Sequence, residues 1–258
     1  MGLSTGEAVR VNLLSAGVWW GMFTIIPVVG LRDVRRVGPA VTGSLTAAVS
    51  GSVRQLRSTF AELRHFPDTM TFLLAYLFFN DGIQTVIVSA SLYGKEELGF
   101  GDSQLIVTIL LVQFVAFLGA LLFGRLARTM GAKRAVLLSL GLWTLVVFAA
   151  FFLPSGQFGL WLVLGVGIGI VLGGSQALSR SLYSRLVPTG RESEYFSLYQ
   201  AMERGTSWFG TLTFGLVHQL TGSYRLSIVA LVVFFALGAV LLRRVDVERG
   251  SARARAAG

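Results

Sequence analysis

Apolar residues along this chain gather into runs of about 20 residues, separated by shorter segments rich in charged or turn residues. A helical run of that length reaches across a bilayer, because a helix rises about 1.5 Å per residue and the hydrocarbon core is about 30 Å thick. The runs lie at residues 11–30, 72–92, 104–123, 135–153, 159–178, 195–218 and 226–242. The pattern predicts an all-α polytopic membrane protein with seven transmembrane helices.

The amino-acid composition agrees with a membrane protein. Hydrophobic residues make up 53% of the 258 residues and charged residues 14%, against about 25% charged in a typical soluble domain. The chain has no cysteine and only two histidines, which excludes disulfides and a cysteine nucleophile and leaves too few ligands for a zinc enzyme. The glycine-rich run GVGIGIVLGG lacks the preceding strand and following lysine of a nucleotide-binding loop. We therefore expect no metal, no cofactor and no enzymatic activity.

Basic residues alternate between the connections. The segments after the first, third, fifth and seventh runs are rich in arginine, whereas the other connections carry only Lys95 and Arg225. Because basic loops are retained in the cytoplasm, the alternation predicts an N-terminus outside and a cytoplasmic C-terminus. It also supports the sixth run as a span, although that run is the least hydrophobic. The net charge of +9 thus reflects membrane sidedness and not nucleic-acid binding.

The runs divide the chain into four predicted regions. These are a single transmembrane helix at residues 1–31, a cytoplasmic linker at 32–70, a six-helix bundle at 71–245 and a basic cytoplasmic tail at 246–258. Within the linker, the amphipathic stretch 44–63 is expected to lie along the membrane interface. A signal peptide is the alternative for the first run, but the run exceeds the usual length of about 7 to 15 residues and no A-x-A cleavage site follows it.

Polar side chains interrupt the second run near its middle. An ionisable residue at this depth, here Asp81, costs about 3 kcal/mol unless it faces a cavity or a partner. Tyr76, Asn80 and Gln84 share one face of the helix because they lie four residues apart, and Asp81 lies about 100° round from Asn80. The stripe predicts a contact with a substrate or ion. A hydrogen bond that only fixes helix packing is the alternative.

Opposite charges lie within the sixth run, where Tyr199 and Glu203 are one turn apart and Arg204 follows. Because an unpaired charge in hydrocarbon is costly, we expect Arg204 to pair with Asp81 or Glu203 while the other acid faces water. A carboxylate in such a place suits proton coupling. A static ion pair between the two spans is the alternative.

Two glutamines, Gln113 and Gln176, also lie in apolar runs, where their amides need a partner. A packing hydrogen bond is again the alternative role. In the fifth run Gly165, Gly169 and Gly173 recur at every fourth position, which predicts close helix packing. The predicted substrate or ion pathway comprises Tyr76, Asn80, Asp81, Gln84, Gln113, Gln176, Tyr199, Glu203 and Arg204.

The short connection between the third and fourth runs reads GRLARTMGAKR. It resembles the G-x-x-x-D-[RK]-x-G-[RK]-[RK] loop of the major facilitator superfamily. Gly124, Gly131 and Lys133 match that pattern, and Arg134 follows as a further basic residue, whereas Arg128 stands where the pattern has an aspartate. The resemblance implies a conformational latch at these five residues, with one facilitator-type six-helix bundle preceded by one helix.

Two further stretches narrow the resemblance: FNDGIQTVI at residues 79–87, and GGSQALSRSLYSRLVPTGRESEYF at 173–196. Both are similar to the facilitator branch that includes the fungal vacuolar amino-acid effluxers linked to autophagy and their bacterial relatives. The resemblance covers residues 13–249 and implies the sixth span and C-terminal half of a twelve-span transporter. It implies ion-coupled transport of a small solute by alternating access, in a bacterial-type inner or plasma membrane.

The partners implied are the lipid bilayer, a small-molecule substrate such as an amino acid, a proton, and an N-terminal half or a second copy of the chain. A truncated or split half that is inactive without a separate N-terminal bundle is the alternative reading. A membrane-embedded enzyme would need a nucleophile with a base or a metal cluster, and the lack of cysteine and the scarcity of histidine disfavour it. A seven-helix receptor fits the span count, but the motifs favour the facilitator.

Overall fold

A computed structural model describes residues 5–30, 51, 60–205 and 208–256. These residues form helices and short connections without a strand, which confirms the all-α prediction. The chain divides into two separately packed units, residues 1–49 and 50–258. The predicted interfacial stretch 44–63 lies mostly outside the described residues.

The first unit contains one helix, α1, at Thr5–Gly30. Its segment Val9–Gly30 has a mean hydropathy of 1.6 and is long enough to cross a membrane. Every described side chain in that segment is exposed. A helix that is apolar on all sides is stable in lipid or against other membrane helices, not in water. This helix is therefore the predicted first span.

The second unit opens with a 3₁₀ turn at Leu63–His65 and continues as a series of helices. They are α2 (Pro67–Glu96), α3 (Asp102–Met130), α4 (Ala132–Phe151), α5 (Phe158–Ser184), α6 (Glu192–Gly205), α7 (Phe209–Thr221), α8 (Tyr224–Ala230), α9 (Val232–Arg244) and α10 (Val247–Ala256). Helices α2 to α5 and the consecutive pair α8 and α9 are each long and apolar enough to span a membrane. With α1 they make six such spans in the described parts of the chain.

The predicted sixth run, residues 195–218, forms two shorter helices in place of one continuous span. Helix α6 ends at Gly205 and α7 begins at Phe209, and neither reaches the length of the other spans. The sequence gives a physical reason, because two adjacent charges and a glycine end α6 and each weakens a helix in an apolar environment.

Helix α2 lies at the centre of the bundle and α3 at its edge. In the most apolar stretch of each helix, 61% of the α2 residues are buried, against 17% for α3. Glycines allow α3 and α5 to touch: a Cβ at Gly169 would lie 2.8 Å from Val115 Cβ, and a Cβ at Gly173 would overlap the backbone carbonyl of Ala116. The predicted glycine ridge is thus confirmed as a packing surface.

The arginine-rich connections that follow α3, α5 and α9 gather at one end of the bundle. There Thr69 Oγ1 donates to the carbonyl oxygen of Leu186 at 2.9 Å, which joins the start of α2 to the end of α5. At the opposite end, Arg225 donates to Glu97 Oε1 at 2.6 Å and to the carbonyl oxygen of Phe151 at 2.7 Å. The helices therefore run up and down with the basic connections on a shared side.

Candidate functional site

Asn80 lies at the centre of a hydrogen-bonded cluster midway along α2. It is 1% exposed. Its Oδ1 accepts from Gln176 Nε2 on α5 at 3.1 Å, and its Nδ2 donates to the carbonyl oxygen of Glu203 on α6 at 3.3 Å. That carbonyl lies in the last described turn of α6. One buried amide therefore joins three helices at the point where the sixth span is divided.

Asp81 faces the start of α7. Its buried carboxylate accepts the backbone N–H of Gly210 through Oδ2 at 2.7 Å. The first N–H groups of a helix lack helical partners and carry partial positive charge, so a carboxylate stabilises this start. The other oxygen, Oδ1, is buried and accepts no hydrogen bond from the described residues. Asp81 thus holds a half-helix in place and keeps one acceptor unused.

Gly210 is the residue that lets this contact form. A Cβ at Gly210 would overlap Thr85 Oγ1 and lie 3.1 Å from the carbonyl oxygen of Asp81. Thr85 itself is held in position, because its Oγ1 donates to the same carbonyl oxygen at 2.8 Å. The close approach of α7 to α2 therefore requires a residue without a side chain at this point.

Glu203, the second acid of the predicted pathway, has Arg180 as its ion-pair partner. Its Oε2 lies 3.7 Å from Arg180 Nη2, with side chains 17% and 59% exposed. A pair of this length and exposure contributes little to stability. The sequence analysis expects Arg204 to pair with Asp81 or Glu203 and does not identify Arg180, which reaches Glu203 from the end of α5 because its side chain is long.

Two predicted tyrosines form an aromatic wall beside the polar cluster. The rings of Tyr76 on α2 and Tyr199 on α6 stack with centroids 4.2 Å apart, and both side chains are buried. The guanidinium of Arg180 lies 6.0 Å from the centroid of the Tyr199 ring. The rings therefore hold α6 against α2 on one side of the divided span.

A cavity of about 360 Å³ opens beside this cluster. It is lined by Gln84, Val88, Glu203, Arg204 and Thr211. The volume falls within the range of about 300–1,000 Å³ that is usual for small-molecule sites. The wall thus offers an amide, a hydroxyl, a carboxylate and a guanidinium in one space, which suits a small ligand with charges of both signs.

Gln113 is the predicted pathway residue that the structure places elsewhere. It is exposed on α3 and lines a separate, mainly apolar cavity of about 140 Å³ with Trp161 and Ile168 among its neighbours. The sequence pattern cannot separate these sites, because a lone polar residue in an apolar run has no neighbour on its face to show which way it points. The other predicted pathway residues lie on α2, α5 and α6.

The predicted latch loop joins α3 to α4 at Gly131, whose φ of +86° favours glycine. Lys133 Nζ donates to the carbonyl oxygens of Arg243 at 2.8 Å and Val245 at 2.6 Å, at the end of α9. A cation at this position offsets the partial negative charge of the last helical carbonyls. The remaining loop residues lie at or near the surface: Gly124, Arg128 and Arg134.

An acid that the sequence analysis misses, Asp68, ties the start of α2 to the C-terminal helix α10. Its side chain is 4% exposed and accepts from Arg249 Nε at 2.8 Å, Arg249 Nη2 at 2.6 Å and the backbone N–H of Asp246 at 3.0 Å. The same carboxylate raises the pKa of the Arg249 guanidinium. The facilitator pattern has an acid at position 128, where this chain has an arginine, whereas Asp68 is a buried acid at the same end of the bundle on α2.

We expect an Asp68→Asn substitution to loosen α10. Asparagine keeps the size of the side chain but removes the charge and one accepting oxygen, so the bidentate bond to Arg249 is lost. Hydrogen exchange of the backbone amides in Val247–Ala256 should become about tenfold faster. The matched control is Asp102→Asn, because Asp102 pairs with Lys95 at 3.0 Å but both side chains are more than half exposed. Equal rates of amide hydrogen exchange in α10 in the two variants would contradict this role of Asp68.

Comparison with known proteins adds an independent finding. The family described as "Vacuole effluxer Atg22 like" matches residues 3–255. The chain is 30% identical over 248 residues to the uncharacterised MFS-type transporter YxiO of Bacillus subtilis, covering 95% of this chain and 56% of that protein. It is 31% identical over 267 residues to autophagy-related protein 22-1 of Neosartorya fischeri, covering 95% of this chain and 44% of that protein. The chain spans about half the length of these curated relatives.

Proposed function

Because this chain belongs to the family of Atg22-like vacuole effluxers, we propose that it is the C-terminal part of a secondary transporter that moves a small solute by alternating access. The observation that carries the proposal is the cluster of Asn80, Gln176 and Glu203 beside a cavity of about 360 Å³. It lies at the break between two half-helices. Transporters commonly place substrate and ion sites at such breaks, where unpaired helix ends are polar.

The substrate class we propose is a small zwitterion such as an amino acid. Glu203 and Arg204 line the cavity together, so one wall presents a carboxylate and a guanidinium. These groups complement the ammonium and carboxylate of an amino acid, and an arginine binds a carboxylate through two parallel hydrogen bonds.

Proton coupling is proposed to run through Asp81 and Glu203. A proton on Asp81 would remove the negative charge that holds the N-terminus of α7 and so weaken the contact with Gly210. Movement of α7 would then change the cavity, because Thr211 is the next residue along that helix and lines it. Protonation and cavity shape are thereby linked through one hydrogen bond.

A second helical bundle is proposed to complete the transporter. Alternating access requires two bundles that rock about a shared site, and the second is supplied by an N-terminal half or by a second copy of this chain. We place the arginine-rich end of the bundle in the cytoplasm, as the charge distribution favours. The alternative is a half that is inactive without a separate N-terminal bundle.

The test is uptake of radiolabelled amino acids into proteoliposomes, driven by a pH gradient, with and without a co-expressed five-span partner. Neutralising both acids with Asp81→Asn and Glu203→Gln should reduce pH-driven uptake at least about tenfold. The control variant Glu96→Gln with Asp102→Asn removes two exposed acids at the far end of α2 and the start of α3. Uptake that persists when Asp81 and Glu203 are both neutral would rule out proton coupling through them. An absence of uptake with every partner tried would favour the alternative that the chain is an inactive half.

A further inference from the structure

A basic cleft at the arginine-rich end of the bundle is not used by the proposed transport site. It has a volume of about 770 Å³ and lies between the α3–α4 connection, the end of α5 and the junction of α9 with α10. Six basic residues and two acidic residues line it: Lys133, Arg134, Arg185, Arg243, Arg244, Arg249, Asp246 and Glu248. The cleft is therefore strongly electropositive.

Two of the basic residues are engaged within the protein, since Lys133 bonds to carbonyl oxygens at the end of α9 and Arg249 bonds to Asp68. The other four guanidinium groups form no hydrogen bond or ion pair with any described residue. They come from three different segments, so the fold, and not one basic stretch of sequence, brings them together. Four unpaired guanidiniums around one cleft fit an anion, because arginine pairs geometrically with phosphate.

Exposed apolar residues one turn deeper along the same helices indicate which anion. Arg134 lies one turn before Leu138 on α4, and Arg244 lies one turn after Val240 on α9, so each arginine shares a helix face with an apolar residue. Leu138 is 41% exposed and Val240 is 48% exposed. Both apolar residues lie deeper along the spans than their arginines. Positive charge at the cleft and exposed apolar side chains deeper in the membrane match the charged headgroup and the acyl chains of a lipid.

We propose that this cleft binds the phosphate headgroup of an anionic phospholipid from the adjoining leaflet, with the acyl chains along α4 and α9. Basic pockets between membrane helices bind such headgroups, and each arginine near the surface contributes about 1 kcal/mol. The linker of the chain itself is a poor occupant, because it carries six arginines at positions 32, 35, 36, 54, 57 and 64 and has the same sign of charge. Lipid binding does not require transport activity, so its test is independent of the uptake assay.

The experiment is native mass spectrometry of the full chain, released from detergent containing phosphatidylglycerol, phosphatidylcholine or both. Wild-type protein should retain phosphatidylglycerol in preference to phosphatidylcholine, with an apparent affinity that falls as ionic strength rises. Replacing Arg134 and Arg244 by glutamine should weaken the apparent affinity about 30-fold, which is about 2 kcal/mol at 1.4 kcal/mol per tenfold.

The matched control is Arg125→Gln with Arg255→Gln, which removes the same charge from exposed positions outside the cleft. An equal loss of affinity in this control would show a diffuse charge effect and overturn the site. Displacement of the lipid by an equal concentration of soluble glycerol phosphate would overturn the lipid assignment, because the apolar wall would then contribute nothing. A wild-type chain without preference for phosphatidylglycerol overturns the proposal whether or not the variants fold.

Discussion

A Gly173→Ala substitution is expected to lower the stability of the bundle by about 3 kcal/mol or more. A single methyl group at this position overlaps the backbone carbonyl of Ala116 and lies 2.9 Å from the backbone nitrogen of Ala120. Overpacking is usually relieved by a side chain that moves, but here the obstacle is the backbone of α3. The two helices must therefore separate along their whole contact, which also weakens the packing at Gly169.

The measurement is the midpoint of thermal unfolding in detergent, for which we expect a fall of about 6–12 °C. Gly167→Ala is the matched control, because it makes the same chemical change six residues earlier on α5 and its added Cβ would lie 3.4 Å from Val146 Cγ2. Alanine is the better helix former by about 1 kcal/mol, so this control should unfold at the same temperature or higher. A Gly173→Ala chain as stable as Gly167→Ala would show that α3 and α5 are not in backbone contact.

Replacing Asp81 by alanine should destabilise the start of α7. The buried N–H of Gly210 would lose its acceptor, and an unsatisfied buried donor costs about 1–3 kcal/mol. We expect exchange of the Gly210 amide to become about 30-fold faster, corresponding to about 2 kcal/mol. Hydrogen exchange followed on peptides that cover residues 208–214 measures this directly and needs no knowledge of the substrate.

Asp81→Asn separates the hydrogen bond from the charge. The amide oxygen of asparagine can still accept from Gly210, whereas the interaction of the carboxylate with the partial positive charge of the helix end is lost. Protection of α7 should therefore fall less than in the alanine variant, while pH-driven uptake should fall as far. If both variants leave the exchange of Gly210 unchanged, Asp81 does not hold α7.

The spans could be predicted from the sequence because their signal is local. An apolar run of about 20 residues has one stable form in lipid, in which every backbone group is paired within the helix. The run at 195–218 is the exception, since it meets the length criterion yet forms α6 and α7. Hydropathy averages over a window and therefore does not register the local effect of Glu203, Arg204 and Gly205 in succession.

The site could be predicted only in part. Asn80 and Asp81 are recognisable because a polar pair in an apolar run is costly wherever it lies. Their partners cannot be recognised in the sequence. Asp81 bonds to a backbone N–H 129 residues away, and every residue type except proline has such a group. Asp68 and Arg249 lie 181 residues apart, and a lone acid before an apolar run resembles an ordinary helix start. Pairings at that distance follow from the packing of the helices and not from any local pattern.

The ties at the two ends of the bundle determine where it can bend. The hydrogen bonds of Lys133 and Asp68 fix one end of the bundle, and those of Arg225 fix the other. Between these ends the sixth span consists of the two helices α6 and α7. The side chain of Asn80 bonds to α6 and that of Asp81 bonds to α7. Deformation should therefore concentrate midway along the bundle. A solute or proton that binds there acts on the most easily deformed part, while both ends of the bundle keep their shape.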